Sequence, residues 1–494
     1  MATAAEPGRR LRTACDRCYR LKERCTRLSI AHSCARCDRL DLSCATVRPQ
    51  RPAGRRPHRS PGDHRRDSGR SSSQAGTNEA ADVSPNPPPL DIGAWLRGVP
   101  HLRREEREKL LFFLGRPENL DCCVVSPNFR DAEQRSLAAP LATALPVLKD
   151  AYLACAGALK LIQPPHPPVH AAELEVEVEV SDEDVNLRHA LAAMTTLRAL
   201  PVATPQDAAL CLTLGVSLAL FVYSAIGQGV YEISRHCLSV AKPFVEMDTL
   251  DSDAEQWLTF LVLFEMTDCL VHRRRPTIRL PAQGRLSGGS AVDRHLGLCA
   301  PLLSFYHDLC VVSHSLANTT DASYMALIEE QLGRIQADVQ AWQPSQPDRF
   351  VERFDTAEVV HLLAQARLYR LAALLVGHRL RCAFGEQDGQ ADIWATEIMT
   401  ELELARRITG RSTRCVTLPF VAAAIEMRDP AARVKALRDT DEYVDQFTPV
   451  VQRATKTFLS RVWRDRDRKL TASWFDSTCK PCVVLASIDK ALFG

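Results

Sequence analysis

The chain has 494 residues and a formal net charge of only +2, longer than one ordinary domain and with room for a large core. That charge is unevenly divided: residues 1–70 carry 18 Lys/Arg against 7 Asp/Glu, and the remainder carries 44 against 53. A basic arm on a mildly acidic body points to nucleic acid, and eighteen cysteines suit a reducing interior rather than a secreted disulfide scaffold.

Residues 1–13 carry Arg9, Arg10 and Arg12 without an apolar pattern and read as a flexible basic lead-in. Next comes CDRCYRLKERCTRLSIAHSCARCDRLDLSC, with cysteines at 15, 18, 25, 34, 37 and 44. Its halves, CDRCYRLKERC and CARCDRLDLSC, repeat Cys, Arg, Cys, Arg, Leu and Cys at an offset of nineteen residues. A Cys-x2-Cys pair can close on one metal, and the third Cys can return to it after a short helix. Three thiolates leave a tetrahedral zinc one ligand short. Six sulfurs fill the eight positions of two zincs only when two of them bridge. The spacing therefore predicts a binuclear cluster of Cys15, Cys18, Cys25, Cys34, Cys37 and Cys44, with two zinc ions as cofactors. A disulfide framework would need an oxidising compartment, and MATAAEPGRRLRTAC offers no apolar export segment.

Over residues 14–44 this stretch resembles the fungal six-cysteine zinc-cluster transcription factors, whose motif ACDRCYRLKERC and CARCDRLDLSC closely follow. The resemblance implies that Cys15 and Cys34 are the bridging thiolates. It also implies double-stranded DNA as partner, at GC-rich triplet sites, with Lys22 at the position of the lysine that relatives use on guanine. Charge agrees: between its cysteines the first half sets Arg17, Arg20, Lys22 and Arg24 against Asp16 and Glu23, and the second half balances. Nuclear localisation, RNA polymerase II-type control of one pathway or gene cluster, and contact with transcription machinery or coactivators are expected on the same ground. The stretch departs from the family in two places, and the second, at Tyr19 and Leu21, keeps another reading open, a zinc-stabilised protein-interaction adaptor without specific DNA reading. The loop Thr26–Ser33 lacks the family's usual proline, and Tyr19 and Leu21 stand where basic residues are frequent.

Beyond Cys44, TVRPQRPAGRRPHRSPGDHRRDSGR has too many prolines for a helix and no apolar group to bury. Its RPAGRRP core loosely resembles the AT-hook. Arg51, Arg55 and Arg56 are expected to touch phosphates, with minor-groove reading and nuclear import as alternatives. Ser71–Pro89 is low-complexity linker. The expected division is a lead-in (1–13), a zinc-cluster DNA-binding domain (14–47), a disordered linker (48–89) and an all-α regulatory domain (90–494).

HLRREEREKLLFFL (101–114) bunches its apolar residues at one end, so no coiled coil is visible and the oligomeric state stays open. Apolar residues at helical spacing predict helices over 131–160, 187–199, 206–242, 253–272, 300–317, 323–342, 356–382, 390–409 and 431–465. LEVEVEV (174–180) alternates strictly and is a candidate strand or an exposed loop. Stretches such as FLVLFEMTDCLVHRRRPTIRL (260–280) and FLSRVWRDRDRKLTASWFD (458–476) resemble the regulatory region of the same family. LDIGAWL (90–96) and DEYVDQF (441–447) read as packing segments, with coactivator contact as the alternative.

Ala208–Tyr231 holds no charged residue in 24 positions, but its glycines, Thr213, Ser217, Ser224 and Gln228 favour a buried core helix over a membrane span. His272-Arg273-Arg274-Arg275-Pro276 reads as a helix end, with an anion site as the alternative. Cys479-Lys480-Pro481-Cys482 lacks a second metal pair nearby and reads as structural. No metalloprotease, nucleophile-elbow, phosphate-loop or dinucleotide signature is found, so no enzyme is expected.

Overall fold

The computed structural model describes residues 14–15, 18, 25–26, 32–40, 42, 44, 92–99, 101–162, 182–281, 292–318, 322–347, 349–445 and 447–473. The chain divides into two units, Met1–Pro85 and Asn86–Gly494. In the first, helix α1 spans Ala35–Arg39.

The second unit is helical, and among the described residues it contains no strand, only one isolated bridge between Asp293 and Gly297. Its helices are α2 (Ile92–Arg97), α3 (Arg104–Leu114), α4 (Arg130–Ala138), α5 (Leu141–Ile162), α6 (Asp182–Ala199) and α7 (Pro205–Phe221). There follow α8 (Val230–Glu246), α9 (Ser252–His272), α10 (Leu303–Asn318), α11 (Ala322–Ala341), α12 (Phe350–Arg353) and α13 (Thr356–Arg381). The last four are α14 (Asp388–Thr409), α15 (Thr417–Glu426), α16 (Pro430–Tyr443) and α17 (Pro449–Asp467).

The helix starts follow from local chemistry. Thr204 and Asp207 cap each other ahead of α7, with Pro205 in the first helical position, where its missing N–H costs nothing. Asp355 and Glu358 do the same for α13, and the Asp251 and Asp429 carboxylates accept backbone N–H bonds at the starts of α9 and α16. Packing then builds one apolar core from Ile92 to Trp463. α5 lies against α3, α6 and α7; α9 against α7, α8 and α10; and α13 against α10, α11, α14 and α15. The α5–α6 approach depends on Gly157, where a Cβ would sit 1.9 Å from Asn186 Oδ1.

Three of the long helices expected from periodicity are each two. The stretch 131–160 divides at Pro140 into α4 and α5, which has a non-helical kink at Ala144. The stretch 431–465 divides before Pro449, and the Gln452 amide closes the gap by donating to the carbonyls of Asp441, Val444 and Asp445. The stretch 206–242 divides where α7 runs into a π turn, Val222–Ile226, that ends at Gly227 and Gly229. Both glycines have positive φ, 77° and 87°, so Ala208–Tyr231 is not one helix. Periodicity also missed α15, ten residues that are mostly buried.

Other expectations sort simply. Ile92 and Leu96 of LDIGAWL, and Tyr443 and Val444 of DEYVDQF, are buried in the core. Pro205–Ile226 and Thr356–Arg381 are both long and apolar enough to cross a membrane, yet 61% and 67% of their apolar windows are covered by neighbouring helices. Arg273 ends α9 in the left-handed region, and Arg274 pairs with Asp268 and lies over the Tyr231 ring, so these two form a helix terminus. The candidate strand 174–180 and the Cys479/Cys482 pair lie outside the described residues.

Candidate metal centre

Among its described residues the first unit has no apolar core of ordinary kind. Its buried cluster is Cys15, Cys18, Cys34 and Cys37, with Ala14, Cys25, Leu42 and Cys44 packed around them. The four central sulfurs all lie within 4.8 Å of one another. The Cys15–Cys34, Cys15–Cys37 and Cys18–Cys34 sulfurs are 3.8, 3.8 and 3.7 Å apart. Disulfide sulfurs sit about 2.05 Å apart, so these are separate thiols. A tetrahedron with Zn–S of about 2.3 Å has edges of about 3.8 Å, which the three separations match.

The nineteen-residue repeat is visible in the backbone. The Cys15 and Cys34 N–H groups donate to the sulfurs of Cys25 and Cys44, each at 3.3 Å. The Cys18 and Cys37 N–H groups donate to the sulfurs of Cys15 and Cys34, each at 3.4 Å. In the second half this makes the Cys34 sulfur the cap of α1, which carries Cys37 inward. The Ala35 N–H donates to the Thr26 carbonyl at 3.0 Å, tying the second half back to the loop. Cys25 and Cys44, the partly buried pair, are thus drawn to the same cluster as the other four.

Charge decides what such crowding means. Burial raises the Cys34 thiol, but the Cys37 N–H and neighbouring thiols outweigh it and bring it down to about 6. Cys15 is lowered by the same balance around Cys18. Cys37 is pushed up to about 12, by burial first and then by Cys34 and Cys15, and Cys18 is raised likewise. Ionising the first sulfurs therefore resists ionising the rest. A cation at the centre removes that conflict, because metal-bound thiols are deprotonated outright. The donor set is all sulfur, which selects zinc, copper(I) or iron–sulfur chemistry over magnesium or calcium. This is a cysteine-rich metal-binding module.

The residues expected to contact DNA, Arg17, Arg20, Lys22, Arg24, Arg51, Arg55 and Arg56, all lie outside the described residues. In the helical unit the sequence pointed to no definite ligand-binding residues, yet among the described residues the fold leaves several cavities, two of which stand out chemically. One, of about 330 Å³, has a mixed lining that includes the charged Asp121 and Arg414, paired at 2.8 Å, and His361. The other is apolar and centres on the π turn after α7. The only trace of it in the sequence is Gly227-Gln228-Gly229 interrupting an uncharged apolar run. No family model, curated protein or solved structure matches the chain.

Proposed function

We propose that the chain is a zinc-dependent, sequence-specific DNA-binding regulator of transcription. Its N-terminal cysteines would hold two zinc ions, with Cys15 and Cys34 shared between them. The observation carrying this reading is the arrangement of the six sulfurs. Cys15 and Cys34 lie side by side, and the other two short separations run from one half of the repeat to Cys15 or Cys34 of the other. Two zincs sharing that pair give each metal four sulfurs, Cys15, Cys18, Cys25 and Cys34 on one side and Cys34, Cys37, Cys44 and Cys15 on the other. The basic charge of residues 1–70 and the resemblance of residues 14–44 support DNA as the partner. The nucleus is the matching compartment, and the large helical unit is the matching regulatory body.

Metal analysis and site selection test the reading together. Full-length protein is expected to carry two zincs per chain and to enrich one sequence from random duplexes at fixed salt. One zinc per chain would remove the shared pair. Binding that is weak and equal for all duplexes would leave a metal-stabilised adaptor in place of a DNA reader.

A further inference from the structure

The apolar cavity of the helical unit is built by four elements: the π turn and the loop to α8, the C-terminal half of α9, α15, and α17. Its volume is about 160 Å³. Phe264, Leu418, Val421, Ile425, Val451 and Phe458 supply apolar walls, and Tyr223 leans on Phe264 at 4.9 Å between ring centres. Bare backbone forms one side, because Gly227 and Gly229 turn through the left-handed region and carry no Cβ. A Cβ on Gly229 would meet only Val222 Cγ1, at 3.8 Å, so packing of neighbours does not require the glycine there. What requires it is the positive φ, a device that lets main chain come close to a bound group. π turns within helices occur often at functional sites.

Asp268 and His272 bring a carboxylate and an imidazole to the lining. The Asp268 carboxylate is 3.1 Å from Arg274 Nη1 and 3.4 Å from His272 Nε2. The Arg274 guanidinium in turn covers Tyr231 at 4.2 Å. Burial brings His272 down to about 4, so the ring is neutral at physiological pH beside the Asp268–Arg274 ion pair. The pocket is partly open to solvent, so a small molecule can enter it. A space of about 160 Å³ has room for a benzene-sized molecule. That space is far too small for a helix or strand of a partner protein.

We propose that this cavity binds a neutral small molecule, an aromatic or alicyclic ring with a hydroxyl group that donates to Asp268 beside His272. The apolar walls remove the ring from water, and the carboxylate and imidazole orient its polar substituent. A charged ligand is disfavoured because the walls offer nothing to replace its hydration. The site would make the helical unit responsive to a metabolite of that class. It does not depend on DNA recognition, so its failure and the failure of the preceding proposal are separate results.

Full-length, zinc-loaded protein is titrated with toluene, benzyl alcohol, benzoate and benzylammonium, by calorimetry and ligand-observed NMR. Benzyl alcohol is expected to bind saturably at one site, about tenfold or more tighter than either charged probe, with toluene competing. Ala422→Phe fills the cavity from α15 and Val451→Phe from α17, and each is expected to abolish binding. Either variant suffices if the other does not fold, as judged by its helical melting transition. Asp268→Ala, which removes the acceptor, is expected to keep toluene and to erase the advantage of benzyl alcohol over it. No saturable binding of the neutral probes, binding that survives both filled variants, or equal binding of the charged probes overturns the proposal.

Discussion

The two units bury cysteine for opposite reasons, and the direction of the hydrogen bonds tells them apart. In the N-terminal cluster the sulfurs of Cys15, Cys25, Cys34 and Cys44 accept backbone N–H bonds, as thiolates do. In the helical unit the thiols donate instead: Cys155 to the Ser217 carbonyl at 2.8 Å, Cys299 to Leu296, and Cys310 to Met266. Burial raises these last three thiols strongly, which keeps them protonated and inert. Burial alone does not identify a ligand. A sulfur ringed by donors and other sulfurs marks a metal position, and one that donates to a single carbonyl marks a small hydrophobe.

Chelation gives the largest expected break between the two. Structural zinc supplies on the order of 10–16 kcal/mol to small metal-stapled modules, far beyond what so few apolar side chains can replace. A strong chelator should make the six cluster thiols reactive to a thiol reagent and leave the ten described cysteines of the helical unit at their prior rate. Counting newly labelled positions by mass spectrometry checks this. Labelling of Cys155 or Cys310 after chelation alone would mean that the units are not energetically separate. Within the cluster, Cys15→Ser or Cys34→Ser should lose both zincs, and Cys25→Ser should retain partial metal content.

The helical unit is predicted to respond to pH through a buried carboxyl of its own. Glu133 is fully buried, and neither of its carboxylate oxygens finds a hydrogen bond among the described residues. Burial raises it to about 8; Arg294, 3.6 Å away, offsets this only in part because it also pairs with Asp253. Its folded value lies above the ordinary 4.5, so the fold holds this proton more tightly than the unfolded chain does. The stabilisation is full below that ordinary value and is lost as pH rises to the folded one. The slope approaches about 1.4 kcal/mol per pH unit between them. Glu133→Gln should flatten that loss in denaturant titrations between pH 5 and 8, and equal slopes in both proteins would sink the assignment. A smaller effect is expected at Arg379, which is buried with Glu426 and holds it through two bonds of 2.9 and 2.7 Å. Glu426→Ala strands that guanidinium with Asp388 and should cost about 3 kcal/mol, with zinc content unchanged.

The same contrast explains what the sequence made legible. The cluster is local: its six cysteines span thirty positions, and a fixed offset of nineteen residues discloses the repeat in the sequence itself. Helices of the second unit were legible as periodicity, but their interruptions were not. Gly227-Gln228-Gly229 lies inside a run with no charge, so hydropathy continues across a backbone reversal. α15 is apolar on nearly every face, which leaves no stripe to detect. The apolar cavity joins Tyr223, Phe264, Leu418 and Phe458, segments that meet only in the packed fold. Asp268 and Glu133 follow the same rule, since burial by distant helices, not neighbours in sequence, raises both of them.

The finest comparison is within the cluster, between its two halves. The repeat aligns Lys22 with Asp41, Glu23 with Leu42 and Arg24 with Ser43. The first half keeps a net charge of +2 between its cysteines and the second keeps none, so a phosphate-lined groove favours the first. Its short segment is expected to enter the major groove, where a Lys donor suits the O6 and N7 acceptors of guanine. Lys22→Ala should then cost about 1–3 kcal/mol against the preferred duplex and much less against random DNA. Asp41→Ala, the equivalent position, should leave preference intact and tighten binding slightly, because it removes a negative charge near phosphates. Both variants keep every cysteine, so metal content stays at the wild-type level and cannot mimic the effect. Binding of each to preferred and random duplexes at one salt concentration decides the matter. If Asp41→Ala changes sequence preference and Lys22→Ala does not, the second half is the reader and charge is the wrong guide to which half docks.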